Sequence, residues 1–385
     1  MKNSKKKQNY SKKKILIISR HLIKKKNDYR WFFIYDCSKD FDFINISYDS
    51  FFAKNKQRTF VNKISKVLKS NEISLFIDLI FPIDLNISNE KYKKNLQYIL
   101  EVRELINKFN IKSMRFNYPL IGRWSLAPWF YFLYFKQYIK MIQNLYLKNY
   151  YKFPKSDYMC ITGEQGKFEI FRTGVKKINF PHFDYLILQK KKKNLSISKN
   201  YFVYLDQNIQ FSHDRNLVNF KSNFSKFEIE INRFLLLLKK KYNAEIIIAS
   251  HPKRNLKKRT ILTKNWKIIK GNTAKIVSKS RLVIAHDTMS INYPILMSKP
   301  IIFVTTNQLE KTFYSRSISN YSKFFCKSKI NASEINESSL EINNFNLFSI
   351  NKKKYKQYVN NFIISEKNKI LSFSILLKKI IKKVF

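Results

Sequence analysis

Glycine is nearly missing from this chain: there are five in 385 residues, with eight prolines and three cysteines. The shortage removes whole classes of chemistry. There is no GxGxxG, so the dinucleotide fingerprint is absent. No GxxxxGK[ST] supplies a phosphate loop, and no GxSxG supplies a serine-hydrolase elbow. Cys37, Cys160 and Cys326 lie far apart without CxxC or Cys/His spacing, and no HExxH or HxxxH occurs, so no zinc pattern is present. The thiols read as buried and reduced. Long apolar runs are lacking too. The nearest candidate, Leu126–Phe135, is about half of the ~18 residues a membrane span needs. Ile15–Ile18 is too short for a signal-peptide core, so a cytoplasmic location is expected.

Acidic residues are scarce: 26 Asp and Glu stand against 75 Lys and Arg, for a net charge of +49. Such a balance ordinarily suggests nucleic acid or an anionic membrane. Here Lys, Asn, Ile, Phe and Tyr are all enriched while Arg is sparse, the signature of A+T-rich codons. The lysines are scattered in short runs, such as Lys5–Lys7, Lys24–Lys26 and Lys190–Lys193, and line no single predicted groove. Compositional drift is therefore the favoured reading, with no specific nucleic-acid partner. A surface of this kind is still drawn to anionic lipid headgroups, at about 1 kcal/mol per well-placed cation.

What is present is an alternation of strand and helix. After a basic lead (1–13), strands are expected at Ile15–Ser19, Trp31–Tyr35, Phe43–Ile46, Ser74–Phe81 and Lys112–Phe116, with helices at Phe60–Leu68 and Lys91–Phe109. Tyr118–Tyr151 is crowded with aromatics and lysines. It reads as a core helix between domains or as a helix lying in a membrane interface. Strands follow at Asp157–Thr162 and Lys176–Phe180. The first of these runs into Gly163-Glu164-Gln165-Gly166, two of the five glycines, which marks a turn that requires them. Lys190–Asn200 is a polar linker. The pattern then restarts: strand Tyr201–Leu205, helix Phe227–Tyr242, strand Ala244–Ala249, strand Trp266–Ile269, helix Thr273–Ser280. Next comes a strand–turn–helix–strand unit from Leu282–Ala285, through a short helix holding Pro294, to Ile301–Thr305. A helical tail closes the sequence. This predicts an α/β protein with parallel sheets, divided as 14–190, 199–330 and a tail, 331–385.

All five histidines (His21, His182, His213, His251, His286) follow apolar strands within a few residues. The carboxyl ends of parallel strands are where α/β sheets bind ligands. One shared cleft is expected, although polar residues also end strands for no functional reason. His251-Pro252-Lys253 is the sharpest local signal, a proton donor beside a cation suited to a leaving phosphate.

Several stretches resemble GT-B-type glycosyltransferases of bacterial surface-polysaccharide (capsule, lipopolysaccharide) synthesis. They are SDYMCITGEQGK, INFPHFDYLIL, YFVYLDQN with FSHD behind it, ASHPK, and RLVIAHDTMSINYPILMSKPIIFV. The last is similar to the serine-bearing element of CMP-sugar and CDP-glycerol transferases. The resemblance covers about residues 157–305 and implies two Rossmann-like domains facing a cleft, with the terminal helix crossing back. It implies a metal-independent, cofactor-free enzyme that takes a CMP- or CDP-linked donor and a glycan or glycolipid acceptor at the membrane's inner face. Carried over, His251 is the acid or phosphate contact. His213, Asp214, Lys253, His286, Asp287, Thr288 and Ser290 line the donor site. Met289 stands where the family pairs its serines. The first half carries no matching motif. Glu164, Asp184 and His21 are candidate bases by strand-end position alone.

Overall fold

The computed structural model describes residues 12–19, 37–52, 54, 56–79, 90–117, 157–164, 176–191, 200–207, 209, 224–251, 254, 256, 260–336, 346–365 and 373–384. The expected strand 31–35, the aromatic segment 118–151 and most of the linker lie outside them. The architecture is α/β, as expected: two six-stranded parallel sheets with flanking helices.

The first sheet contains β1 (Lys13–Ser19), β2 (Phe41–Ser47), β3 (Ile73–Leu79), β4 (Ser113–Asn117), β5 (Tyr158–Ile161) and β6 (Lys176–Asn179), in the order β2-β1-β3-β4-β5-β6. Strand alternation divides its apolar residues between two faces. Ile15, Ile17, Leu75 and Ile77 build one cluster. Leu16, Ile18 and Phe76 build the other, under helices Gln57–Ser70 and Glu90–Lys108.

The second sheet contains β7 (Tyr201–Leu205), β8 (Glu245–Ser250), β9 (Lys267–Lys270), β10 (Leu282–Ala285), β11 (Ile301–Thr305) and β12 (Lys329–Asn331), in the order β12-β11-β10-β7-β8-β9. Renumbered within the domain this is 3-2-1-4-5-6, the doubly wound order, whose direction of winding reverses between β7 and β10. Pro294 lies in the first turn of helix Asn292–Leu296. That helix stops as expected before Pro300, with Ser298 taking the left-handed conformation (φ 52°).

The tail is not a separate appendage. Helix Lys352–Tyr358 and the π-turn Val359–Ile363 pack on the second domain's core through Tyr355, Tyr358 and Ile363. Helix Phe373–Val384 returns to the first domain, where Leu377 and Ile381 join Ile15 and Ile17 in one cluster. Lys378 pairs with Asp40 at 2.6 Å. The chain therefore crosses back between its domains. Among the described residues, no helix is long and apolar enough to cross a membrane.

Gly163 is where the crossing meets the first domain. Its φ is +63°, and a Cβ placed on it would land inside the Asn361 carbonyl group. The adjacent Glu164 N–H donates to Asn360 O at 2.9 Å. Gly163→Ala should therefore cost about 1–3 kcal/mol through backbone strain and displacement of the crossing segment. Thermal unfolding of the variant measures it.

Candidate functional site

Parallel strands bring all their carboxyl ends to one edge. At the reversal between β7 and β10, Tyr204 is in register with both Ile284 and Ile248. Two residues further on, Asp206, His286 and Ser250 stand level on three neighbouring strands. Gln207 spans the crevice, its Nε2 donating to the Asp287 carbonyl. Thr288 caps the 3-10 turn Met289–Ile291, its Oγ1 accepting the Ser290 N–H at 3.2 Å. The Thr288 hydroxyl proton is thus left to donate elsewhere. Thr288, Ser290 and Asp287 are partly exposed, and Met289 turns outward at 42% exposure.

Behind this edge lies a buried ion cluster that no short sequence motif marks. Arg254, 6% exposed, donates to Asp206 Oδ1 and to Glu228 Oε1, each at 2.9 Å, and to Thr260 Oγ1 at 3.1 Å. The other Glu228 oxygen accepts the Ile261 N–H, and the Arg254 carbonyl accepts Lys270 Nζ at 2.9 Å. Asp206 Oδ2 also accepts the His251 N–H, at 3.4 Å, while the His251 carbonyl accepts the Arg254 N–H at 3.0 Å. The backbone at His251 is therefore held by the cluster at the carboxyl end of β8, and the residue is partly exposed. One signal pointed to this cluster. Glu228 sits on the apolar stripe of its helix, three and seven residues before Ile231 and Leu235, and a carboxylate in that position needs a buried partner.

His286 does not belong to the cleft, contrary to the sequence expectation. It is fully buried. Its Nδ1–H donates to the Val304 carbonyl, and its Nε2 accepts the Tyr204 hydroxyl proton at 2.8 Å. With both nitrogens engaged inside the core, it has none to offer a phosphate. Burial lowers its pKa from 6.5 to about 4, against a raising effect of the Val304 carbonyl and Asp206. The folded pKa is below the unfolded one, so the unfolded chain binds the extra proton between these values. The contribution is complete above pH 6.5 and is lost as pH falls toward about 4, in total about 3 kcal/mol. His182, whose pKa is lowered by burial against an opposing effect of Asp184, titrates in the same direction. Unfolding midpoints should therefore drop across this window, with a shallower drop in His286→Gln.

The remaining candidates separate. His21, His213, Asp214 and Lys253 lie outside the described residues, so a convergence of five histidines rests on three. His251 stands at the edge, His286 in the core and His182 at the contact between domains. Asp184 is there too: its Oδ2 accepts Asn292 Nδ2 at 2.9 Å and lies 3.3 Å from His182 Nδ1. Glu164 meets the crossing segment through its backbone. Both candidate bases thus sit where the domains join.

No protein-family model and no curated protein matches the chain. Among solved structures it is similar to UDP-GlcNAc 2-epimerase from Methanocaldococcus jannaschii, at 14% identity over 97% of this chain and 99% of that one, TM-score 0.48. It is similar to the wall teichoic acid polymerase TagF, at 10% identity over 97% and 90%, TM-score 0.49. It is also similar to MurG of Acinetobacter baumannii, at 8% identity over 97% and 99%, TM-score 0.44. These are likenesses of overall arrangement, and no residue's role is taken from them.

Proposed function

We propose that the protein is a metal-independent glycosyltransferase. It moves a sugar from a nucleotide-sugar donor, CMP- or CDP-linked, to a surface glycan or lipid-linked acceptor at the inner face of the membrane. The observation that carries this reading is the edge between β7 and β10. Thr288 and Ser290, both partly exposed, follow β10 at the carboxyl edge where the doubly wound sheet reverses, and His251 follows β8 two strands away. A diphosphate or monophosphate leaving group needs donors and a proton at such a place, and a glycine-poor chain must supply them from side chains. His251 donates the proton or contacts the phosphate, Thr288 and Ser290 hold it, and the acceptor enters from the first domain.

The test is incubation of purified protein with CMP-, CDP-, UDP- and GDP-linked sugars, and CDP-glycerol, in the presence of glycan and glycolipid acceptors. The reading requires nucleotide release with sugar transfer from one of them. Release from CDP-glycerol alone would make the protein a phosphotransferase, and release from none would overturn both. A Thr288→Val/Ser290→Ala variant should raise the donor KM about tenfold to a hundredfold, the worth of hydrogen bonds to a charged group. A purely polyanion-binding role fits less well. The lysine-bearing helices Gln57–Ser70 and Phe373–Val384 cover opposite faces of the first sheet and form no single groove. Nucleic-acid binding that persists at about 150 mM salt without any transfer would favour that role instead.

A further inference from the structure

Between the domains lies a buried polar network centred on Asn292, to which no role has been given above. Asn292, on the first turn after the Thr288–Ile291 turn, is 3% exposed. Its Nδ2 donates to Asp184 Oδ2 at 2.9 Å and approaches His182 Nδ1 at 3.4 Å. Its Oδ1 accepts the Tyr358 hydroxyl proton at 3.0 Å. His182 Nδ1 accepts the Asp184 N–H at 3.1 Å, which leaves the ring proton on Nε2, and the His182 N–H donates to Ile363 O at 2.8 Å. One asparagine therefore joins three pieces: the first turn of helix Phe183–Lys191 in the first domain, a second-domain helix and the crossing segment. The ionisable groups around it are His182 and Asp184 from the first domain, Tyr358 from the crossing helix, Tyr321 of the second domain, whose side chain hydrogen-bonds Tyr358, and Asp287, whose charge acts on Tyr358 from beyond β10.

We propose that Asn292 is a positioning residue that latches the two domains, holding the Thr288–Ser290 turn at a fixed placement against the first domain. A buried amide suits this task. Its donor and acceptor ends are not interchangeable, so Asp184 and Tyr358 are satisfied only in one juxtaposition, whereas apolar packing tolerates sliding. A single residue, Ile291, separates Ser290 from Asn292, so whatever occupies the turn and whatever sets the domain angle act on the same short element. Only this coupling to a ligand rests on the proposed function. The latch itself stands without it.

The experiment is small-angle scattering on the full chain without ligand, for wild type, N292A, N292D and D184N/N292D, at about pH 8 and about pH 5. N292D is isosteric and sets a second carboxylate against Asp184. Both ionise at the higher pH and repel, and one proton is shared at the lower. The expected result is a radius of gyration roughly 5% above wild type for N292D at about pH 8, returning to wild type at about pH 5. N292A should be expanded equally at both. D184N/N292D, which exchanges donor and acceptor, should match wild type at the higher pH. The proposal is overturned if N292A scatters like wild type. It is overturned too if N292D is equally expanded at both pH values, or if the double variant is no more compact than N292D. Far-UV circular dichroism checks folding; should N292D unfold at the higher pH, N292A decides alone. Failure of the transfer assay would leave these profiles unchanged, so the two readings fail separately.

Discussion

Arg254→Ala should destabilise the protein by about 3–5 kcal/mol, a large part of the ~5–15 kcal/mol that holds a typical domain folded. The reason is what stays behind. Asp206 and Glu228 are both buried, and each loses its 2.9 Å guanidinium partner at once. Two carboxylates then face each other out of water, while Thr260 loses a donor at the start of helix Ile261–Asn265, which it caps. The pH dependence identifies the cause. Without the arginine, both carboxyl groups should bind protons in the folded state above their unfolded pKa values, so the deficit relative to wild type should shrink as pH is lowered toward about 5. A cavity alone would give a deficit independent of pH. Asp206→Asn/Glu228→Gln added to the variant should recover part of the loss at neutral pH. Urea unfolding of the variants at several pH values measures both effects.

His251→Ala should behave in the opposite way: nearly full stability, with transfer reduced about a hundredfold to ten-thousandfold, the usual worth of a positioned proton donor. The separation follows from how the residue is held. Its N–H and carbonyl are fixed by Asp206 and Arg254, and an alanine keeps both contacts. The side chain stands partly exposed at the strand end, so its loss opens no core. Steady-state rates beside a melting curve make the comparison. Unchanged turnover removes His251 from the reaction. A melting temperature that falls along with turnover shows that the ring was structural.

The parallel strands were plain in the sequence because a strand buried on both faces reads as an uninterrupted apolar run, as in YFVYL and LVIA. Helix Phe183–Lys191 was not, and its surroundings explain why. Tyr185 packs on the second domain's core and Leu186 on the first domain's, with Ile187 and Leu188 buried as well. A helix held between two domains has no polar face, so the usual periodicity disappears. Helix Phe313–Phe324 was hidden by its serines, although Tyr314, Ile318, Tyr321 and then Phe325 mark a buried stripe. Two of these rings stack on Phe303. At the edge of the second sheet, Thr288 and His251 were visible because polar residues closing an apolar strand stand out. Arg254 was not, since His-Pro-Lys-Arg reads as a solvated turn and its partners are 48 and 26 residues away along the chain. His286 misled for the complementary reason: adjacency to a strand end does not say whether the side chain points out of the sheet edge or back into the layer below it.

The returning helix Phe373–Val384 carries a consequence for how the protein is made. Strands β1 to β6 leave the ribosome early, yet Leu377 and Ile381 belong to their apolar cluster. At ~5–20 residues per second, the first domain waits on the order of tens of seconds for those two side chains. Throughout that interval Ile15, Ile17, Leu75 and Ile77 lack the cover that Leu377 and Ile381 later provide. Among the described residues, the second domain's cluster is assembled from its own strands and helices and from the segment around Tyr355 to Ile364, with Tyr185 of the first domain added at its margin. The N-terminal domain, although synthesised first, is therefore the one whose folding finishes last.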